Sequence, residues 1–107
     1  MLVRLLYVSR AIDKNAQGAI ESILESSRAY NMTNGITGVL CYGGDIFLQA
    51  IEGGRHAVNG LYNHIAKDER HTDVVMLHYG EIRERCVGGW TMGQVNLSKL
   101  NYSIVLK

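Results

Sequence analysis

The stretch Asn34–Gly53, NGITGVLCYGGDIFLQAIEG, constrains this chain more than any other. Two apolar runs of strand-forming residues flank the glycine pair Gly43-Gly44, the pattern of a tight β-hairpin. It predicts strands over Ile36–Tyr42 and Asp45–Glu52. One primary amide, Gln49, stands in the second run among Phe47, Leu48, Ala50 and Ile51. A buried amide left without partners costs about 1–3 kcal/mol. A backbone group, a water, another side chain or a ligand must therefore meet it.

The remaining elements are placed around that hairpin. Leu2–Ser9, LVRLLYVS, is apolar at nearly every position and predicts a central strand buried on both faces. Val3, Leu5 and Tyr7 share one of those faces. Asp13 is an N-cap candidate for a helix reaching about Asn31, with Ala16, Ala19, Ile20, Ile23 and Leu24 at helical spacing. Ser27 and Asn31 continue the same stripe, which makes its last core-facing turn polar. The other reading is that Asn31 and Asn34 simply end the helix. A second helix is predicted over Arg55–Lys67, its apolar stripe formed by Ala57, Val58, Leu61, Tyr62 and Ile65 and bordered by His64 and Asp68. Val74–Tyr79 reads as a strand, with Glu81–Arg85 either its continuation or a loop. Trp90–Val95 reads as a last short strand with Trp90 and Met92 on one face. Tyr102–Leu106 is apolar without a clear assignment.

The order β-α-β-β-α-β-β is that of an α+β, ferredoxin-like split βαβ fold with an added strand: a mixed five-stranded sheet carrying both helices on one face. In that topology the first strand and the second hairpin strand lie side by side. Tyr7 and Gln49 then become neighbours if they share a face.

Composition narrows the function classes. A length of 107 residues fits one domain. A net charge of +1 with interleaved signs carries no electrostatic footprint for nucleic acid or an anionic membrane. Two cysteines imply no disulfide framework, and the N-terminal apolar run is too short to span a bilayer, so a cytoplasmic protein is expected. No GxxxxGK[ST] phosphate loop, GxGxxG, GxSxG or CxxC motif is present. His64, His71 and His78 recur every seven residues but fall on a helix, a loop and a strand, so no metal site is expected. Cys41 reads as a small buried hydrophobe.

What remains is a set of polar groups that the fold aims at one place. Tyr7 and Gln49 come from the sheet, Ser27 and Asn31 from the first helix, His64 and Asp68 from the second. They would line a pocket between the helices and above the sheet, apolar-walled with a few convergent polar groups, as planar cofactors are held. A hydrogen-bonded cluster without a ligand is the other reading.

Six fragments in this order resemble the BLUF domains, flavin-binding sensors of blue light: LLYVS around Tyr7, AYN ending at Asn31, NGITGVLCY, DIFLQAIEG with Gln49, IAKDERHT around Asp68, and GGWTM with Trp90 and Met92. The resemblance covers residues 1–97. It implies a noncovalent flavin, FAD with FMN as the alternative, held between the helices. It implies that Tyr7 is the photoactive tyrosine, Gln49 the switching glutamine, and Asn31 a hydrogen-bonding partner of the flavin ring. His64 and Asp68 fall where the family contacts the ribityl or phosphate region, Ser27 and Tyr30 line the site, and Trp90 and Met92 relay the signal. An excited flavin is a strong oxidant, and a nearby phenol can yield an electron and then a proton. An amide has a donor end and an acceptor end, so rotation or tautomerisation of Gln49 would reverse its hydrogen bonds.

Members of the family usually continue into helices or an effector, whereas only residues 98–107 follow the resemblance here. The expectation is a photosensor with a tail or the start of an output region, not an enzyme, acting through a partner protein or a missing output domain, with a homo-oligomer also open. Two rivals stand beside it. One is a small acylphosphatase-like hydrolase using Arg10 and Asn31, although the loop after the first strand lacks the glycines to wrap a phosphate. The other is a module binding a ligand other than flavin.

Overall fold

The computed structural model describes residues 1–12, 17–68, 71–89 and 92–96. Its elements are β1 (Leu2–Ala11), α1 (Gln17–Asn34), β2 (Thr37–Gly43), β3 (Ile46–Gly54), α2 (Arg55–Ala66), β4 (His71–Ile82) and β5 (Gly93–Asn96). The sheet order is β4-β1-β3-β2-β5. β1 is antiparallel to β3 and β4, β2 is antiparallel to β3, and β5 joins β2 in parallel. The ferredoxin-like α+β arrangement expected from the sequence is thus the fold, with β1 and β3 adjacent in the interior of the sheet. Helix α2 lies over β1 and β3, and α1 over β2.

Period-2 alternation sorts the strands into two faces. Under the helices lie Val3, Leu5 and Tyr7 of β1, Leu40 of β2, and Phe47, Gln49 and Ile51 of β3, all buried. Leu24 of α1 and Val58 and Leu61 of α2 close the core above them. Burial of β1 on both faces does not hold. Leu2, Arg4, Leu6 and Val8, which point away from the helices, are only half-buried. Both helices pack on the same face, so the other face is covered only in part.

Two boundaries differ from expectation for local reasons. The hairpin turn is Gly44-Asp45, one residue later than predicted, with Gly43 paired to Ile46. Gly44 supplies the positive φ of 58° that the first central residue of a II′ turn requires. Helix α1 runs three residues past Asn31 and stops at Gly35, whose φ is 65°. The Ile36 N–H then donates to the Asn31 carbonyl at 2.9 Å, the six-to-one bond of a Schellman cap. Asp13, Ala16 and the Tyr102–Leu106 segment lie outside the described residues. Strand β4 is longer than predicted, absorbing His71–Asp73 and Gly80–Ile82.

β4 and β5 occupy opposite edges of the sheet. The connection between them must therefore cross the sheet. Among the described residues no helix is long and apolar enough to cross a membrane.

Candidate functional site

Tyr7 and Gln49 are directly paired in the β1–β3 register and both point toward the helices. The Tyr7 hydroxyl donates to Gln49 Oε1. The other end of the amide, Nε2, lies 3.4 Å from the Met92 Sδ. Gln49 is 1% exposed and Met92 2% exposed. The amide in the apolar strand is therefore met at both ends by side chains from β1 and from the entry to β5. The Tyr62 ring of α2 stands edge-on to Tyr7, with centroids 6.1 Å apart.

Above this pair opens a cleft of about 610 Å³ between α1 and α2. Tyr7, Leu40, Phe47 and Gln49 form its floor. Ile23, Ser26, Ser27 and Tyr30 line it from α1, Leu61, His64 and Ile65 from α2, and Lys67 and Asp68 from the segment after α2. That size is within the usual range for small-molecule sites. The helices meet across the cleft at Tyr30 and His64, whose rings lie 6.2 Å apart.

Tyr7, Gln49, Ser27, Tyr30, His64 and Asp68 are brought together as lining. Asn31 is not part of it. It is 0% exposed at the C-terminal end of α1, its carbonyl engaged in the helix cap and its Oδ1 buried. Met92 reaches the site through Gln49. Trp90 lies outside the described residues. Arg10 faces Asp45 at 3.5 Å and Asp73 at 4.0 Å and does not line the cleft. The pairing of Arg10 with Asn31 that a hydrolase would need is therefore not built. Cys41 is half-buried, and burial pushes its thiol up.

Sequence reasoning missed three contributors. The Arg28 Nε donates to the Met92 carbonyl at 3.1 Å, tying β5's entry to α1. Gly38 gives Met92 room: a Cβ there would lie 3.3 Å from the Met92 methyl and 2.6 Å from the Ala50 carbonyl oxygen. Glu52 is 1% exposed on the face away from the cleft. Its signal was available in the sequence, since Arg4 and Glu52 are opposite charges set within apolar runs of two strands, and they pair directly in the register. Burial pushes the Glu52 carboxyl up, but the Val87 N–H, the Arg4 guanidinium and the Cys86 N–H outweigh it and hold the group below its ordinary value.

The family model described as sensors of blue-light using FAD matches residues 2–93. The photoactivated adenylate cyclase subunit beta of Euglena longa is 36% identical over 92 residues, covering 85% of this chain and 11% of that protein. The blue light- and temperature-regulated antirepressor BluF of Escherichia coli strain K12 is 34% identical over 77 residues, 72% of this chain and 19% of that one. The chain thus spans a small part of these curated relatives. Among solved structures, the dark state of the BLUF protein BlrB superposes with a TM-score of 0.88 at 36% identity, covering 92% of this chain and 75% of that one. The photo-activated state of BlsA superposes with a TM-score of 0.90 at 33% identity, covering 99% and 75%. With the family model spanning most of the chain and the fold and cleft in agreement, this chain belongs to the BLUF family of flavin-binding blue-light sensors.

Proposed function

We propose that the chain binds FAD noncovalently in the cleft between α1 and α2, and that Tyr7 and Gln49 convert light absorption into a reversed hydrogen-bond pattern. The observation that carries this reading is the buried Tyr7–Gln49 hydrogen bond on the cleft floor. The residues present fit a flavin. Ile23, Leu40, Phe47, Leu61 and Ile65 offer apolar walls to a planar ring, and polar groups stand around them. Ser27, Tyr30, His64 and Asp68 would hold the cofactor from the helices. Asn31 joins them in the proposal from its buried place at the end of α1.

A flavin bound there supplies a strong oxidant when it absorbs blue light. Tyr7 would give the bound flavin an electron and its phenolic proton and take both back, so that only the Gln49 amide is left changed. Gln49 accepts at Oε1 from Tyr7 and directs Nε2 at Met92 in the resting arrangement. Reversing the amide exchanges donor for acceptor at both ends. With a flavin in the cleft, a donor newly turned toward it would shift the absorption to the red, and thermal return of Gln49 would restore the dark state. Met92, and Trp90 by the resemblance, pass the change to β5.

In this reading residues 1–97 are the photosensor and 98–107 a tail or the start of an output region. The chain is a cytoplasmic sensor and not itself an enzyme, and an output domain or partner protein receives the signal. Loading the purified protein with FAD tests the reading: it should turn yellow and shift reversibly to the red under blue light. A protein that takes up no FAD, or takes it up without a light-driven shift, would sink it. Parallel loading with FMN decides between the two flavins.

A further inference from the structure

The segment that delivers Met92 to Gln49 begins on the far edge of the sheet. β4 ends at Ile82 beside β1, whereas β5 starts at Gly93 beside β2. The described residues 83–89 of the connection lie on the face opposite the cleft, where Arg4 and Glu52 project, because register and alternation put them out of phase with Tyr7 and Gln49. There it is held by charge. The Glu52 carboxylate accepts from the Cys86 N–H and the Val87 N–H, each at 2.9 Å, and from Arg4, whose Nε and Nη2 both lie 2.7 Å from Oε2. Arg85 adds a second tie, donating to Thr37 Oγ1 at 2.9 Å, the Glu52 carbonyl at 3.2 Å and the Gly35 carbonyl at 2.8 Å.

We propose that Glu52 is a positioning residue of the switch: it anchors the crossing segment at Cys86 and Val87 and thereby holds Met92 against Gln49. The inference rests on the photosensor reading for its consequence, although the placement itself does not. Glu52 is three residues from Gln49 on the same strand, so anchor and switch share one rigid frame. Four residues lie between Val87 and Met92, so five Cα-to-Cα steps limit their separation to about 17 Å. Fixing Val87 keeps Met92 within that reach of the anchor, and its buried contact with Gln49 Nε2, with Arg28 on its carbonyl, sets where within that reach it sits. Charge-assisted hydrogen bonds are about twice as strong as neutral ones. Among the described residues the donors to this buried carboxylate come from Arg4 and the crossing segment, so it binds the two together. Return of Gln49 to its dark arrangement needs Met92 back at Nε2, so loosening the anchor makes that return slower.

Methionine-methyl NMR reads the placement directly. Met92 is buried, while Met1, Met32 and Met76 are exposed, so its methyl resonance is separate in kind from the other three. In flavin-free protein, Glu52→Gln should move the Met92 methyl toward the exposed positions. In FAD-loaded protein the same variant should slow dark recovery by about threefold or more, a barrier change of about 0.65 kcal/mol. Thr37→Val, which removes one acceptor of Arg85, should act in the same direction with smaller size and serves if Glu52→Gln does not fold. Arg55→Ala, which removes the exposed pair with Glu81 and the contacts with Tyr79 and Met1, should change neither the Met92 methyl nor the recovery rate. A Glu52→Gln protein that melts lower but keeps the wild-type Met92 methyl would overturn the proposal, as would a displaced methyl with unchanged recovery. If wild-type protein shows no photocycle, the photosensor reading fails on its own, and the flavin-free methyl spectrum still decides whether Glu52 places Met92.

Discussion

The Tyr7 hydroxyl donates to Gln49 Oε1 across a directly paired position of β1 and β3. Tyr7→Phe removes that donor and leaves the ring in place. The variant should fold and retain flavin, lose about 1–3 kcal/mol because a buried amide oxygen loses its partner, and show no light-driven red shift. Chemical denaturation and a light-minus-dark spectrum check both parts. A normal photocycle in this variant would remove Tyr7 from its assigned role.

Gly38 is where the backbone of β2 lets Met92 in. Gly38→Ala would place a Cβ 2.6 Å from the Ala50 carbonyl oxygen and 3.3 Å from the Met92 methyl. Backbone on one side cannot yield cheaply, so the variant should lose about 1–3 kcal/mol. Met92 should move off Gln49, and the dark-recovery rate should change with it. An unchanged recovery rate together with wild-type stability would show that Met92 has slack at this contact.

Glu52 couples stability to pH. Its carboxyl is held below the ordinary 4.5 in the folded chain, so the unfolded chain takes up its proton first as the pH falls. The stability it contributes is therefore full above pH 4.5 and is lost as the pH drops through the lower folded value. Melting temperatures followed from about pH 7 to about pH 3 should fall less steeply in Glu52→Gln than in wild type. Parallel curves would show that the carboxylate is not held by Val87, Arg4 and Cys86 as described.

Arg55 and Glu81 form a close pair at 2.6 Å, yet both side chains are largely exposed. Water screens such pairs and side-chain entropy opposes them, so Arg55→Ala should alter stability by no more than about 0.5 kcal/mol. Denaturation midpoints against wild type measure it.

The parts of this molecule that were legible in the sequence are those written in alternation. The apolar runs around Tyr7 and Gln49 carry a period of two, and the helices a period of three to four, so the topology and the Tyr7–Gln49 neighbourhood follow from them. The cleft followed as well, because Ser27 continues the core-facing stripe of the first helix and His64 and Asp68 border that of the second. The hairpin turn slipped by one because Gly43 and Gly44 both suit a turn, and only register distinguishes them. Asn31 is buried on the core side of α1, as its helical spacing predicts, while its backbone carbonyl closes the cap at Gly35. The segment from Arg83 to Gly89 has no period at all. Its path is set by hydrogen bonds to Glu52 and by Arg85, interactions between residues more than thirty positions apart that no local pattern records.

The central claim is that Gln49 is the switch and Tyr7 drives it. The most direct test is the absorption spectrum of FAD-loaded protein before, during and after blue light, in wild type and in Gln49→Leu. The expected result is a red shift in wild type that reverses in the dark, and a flavin-bound Gln49→Leu protein with no shift. A red shift of wild-type size in Gln49→Leu would contradict the account.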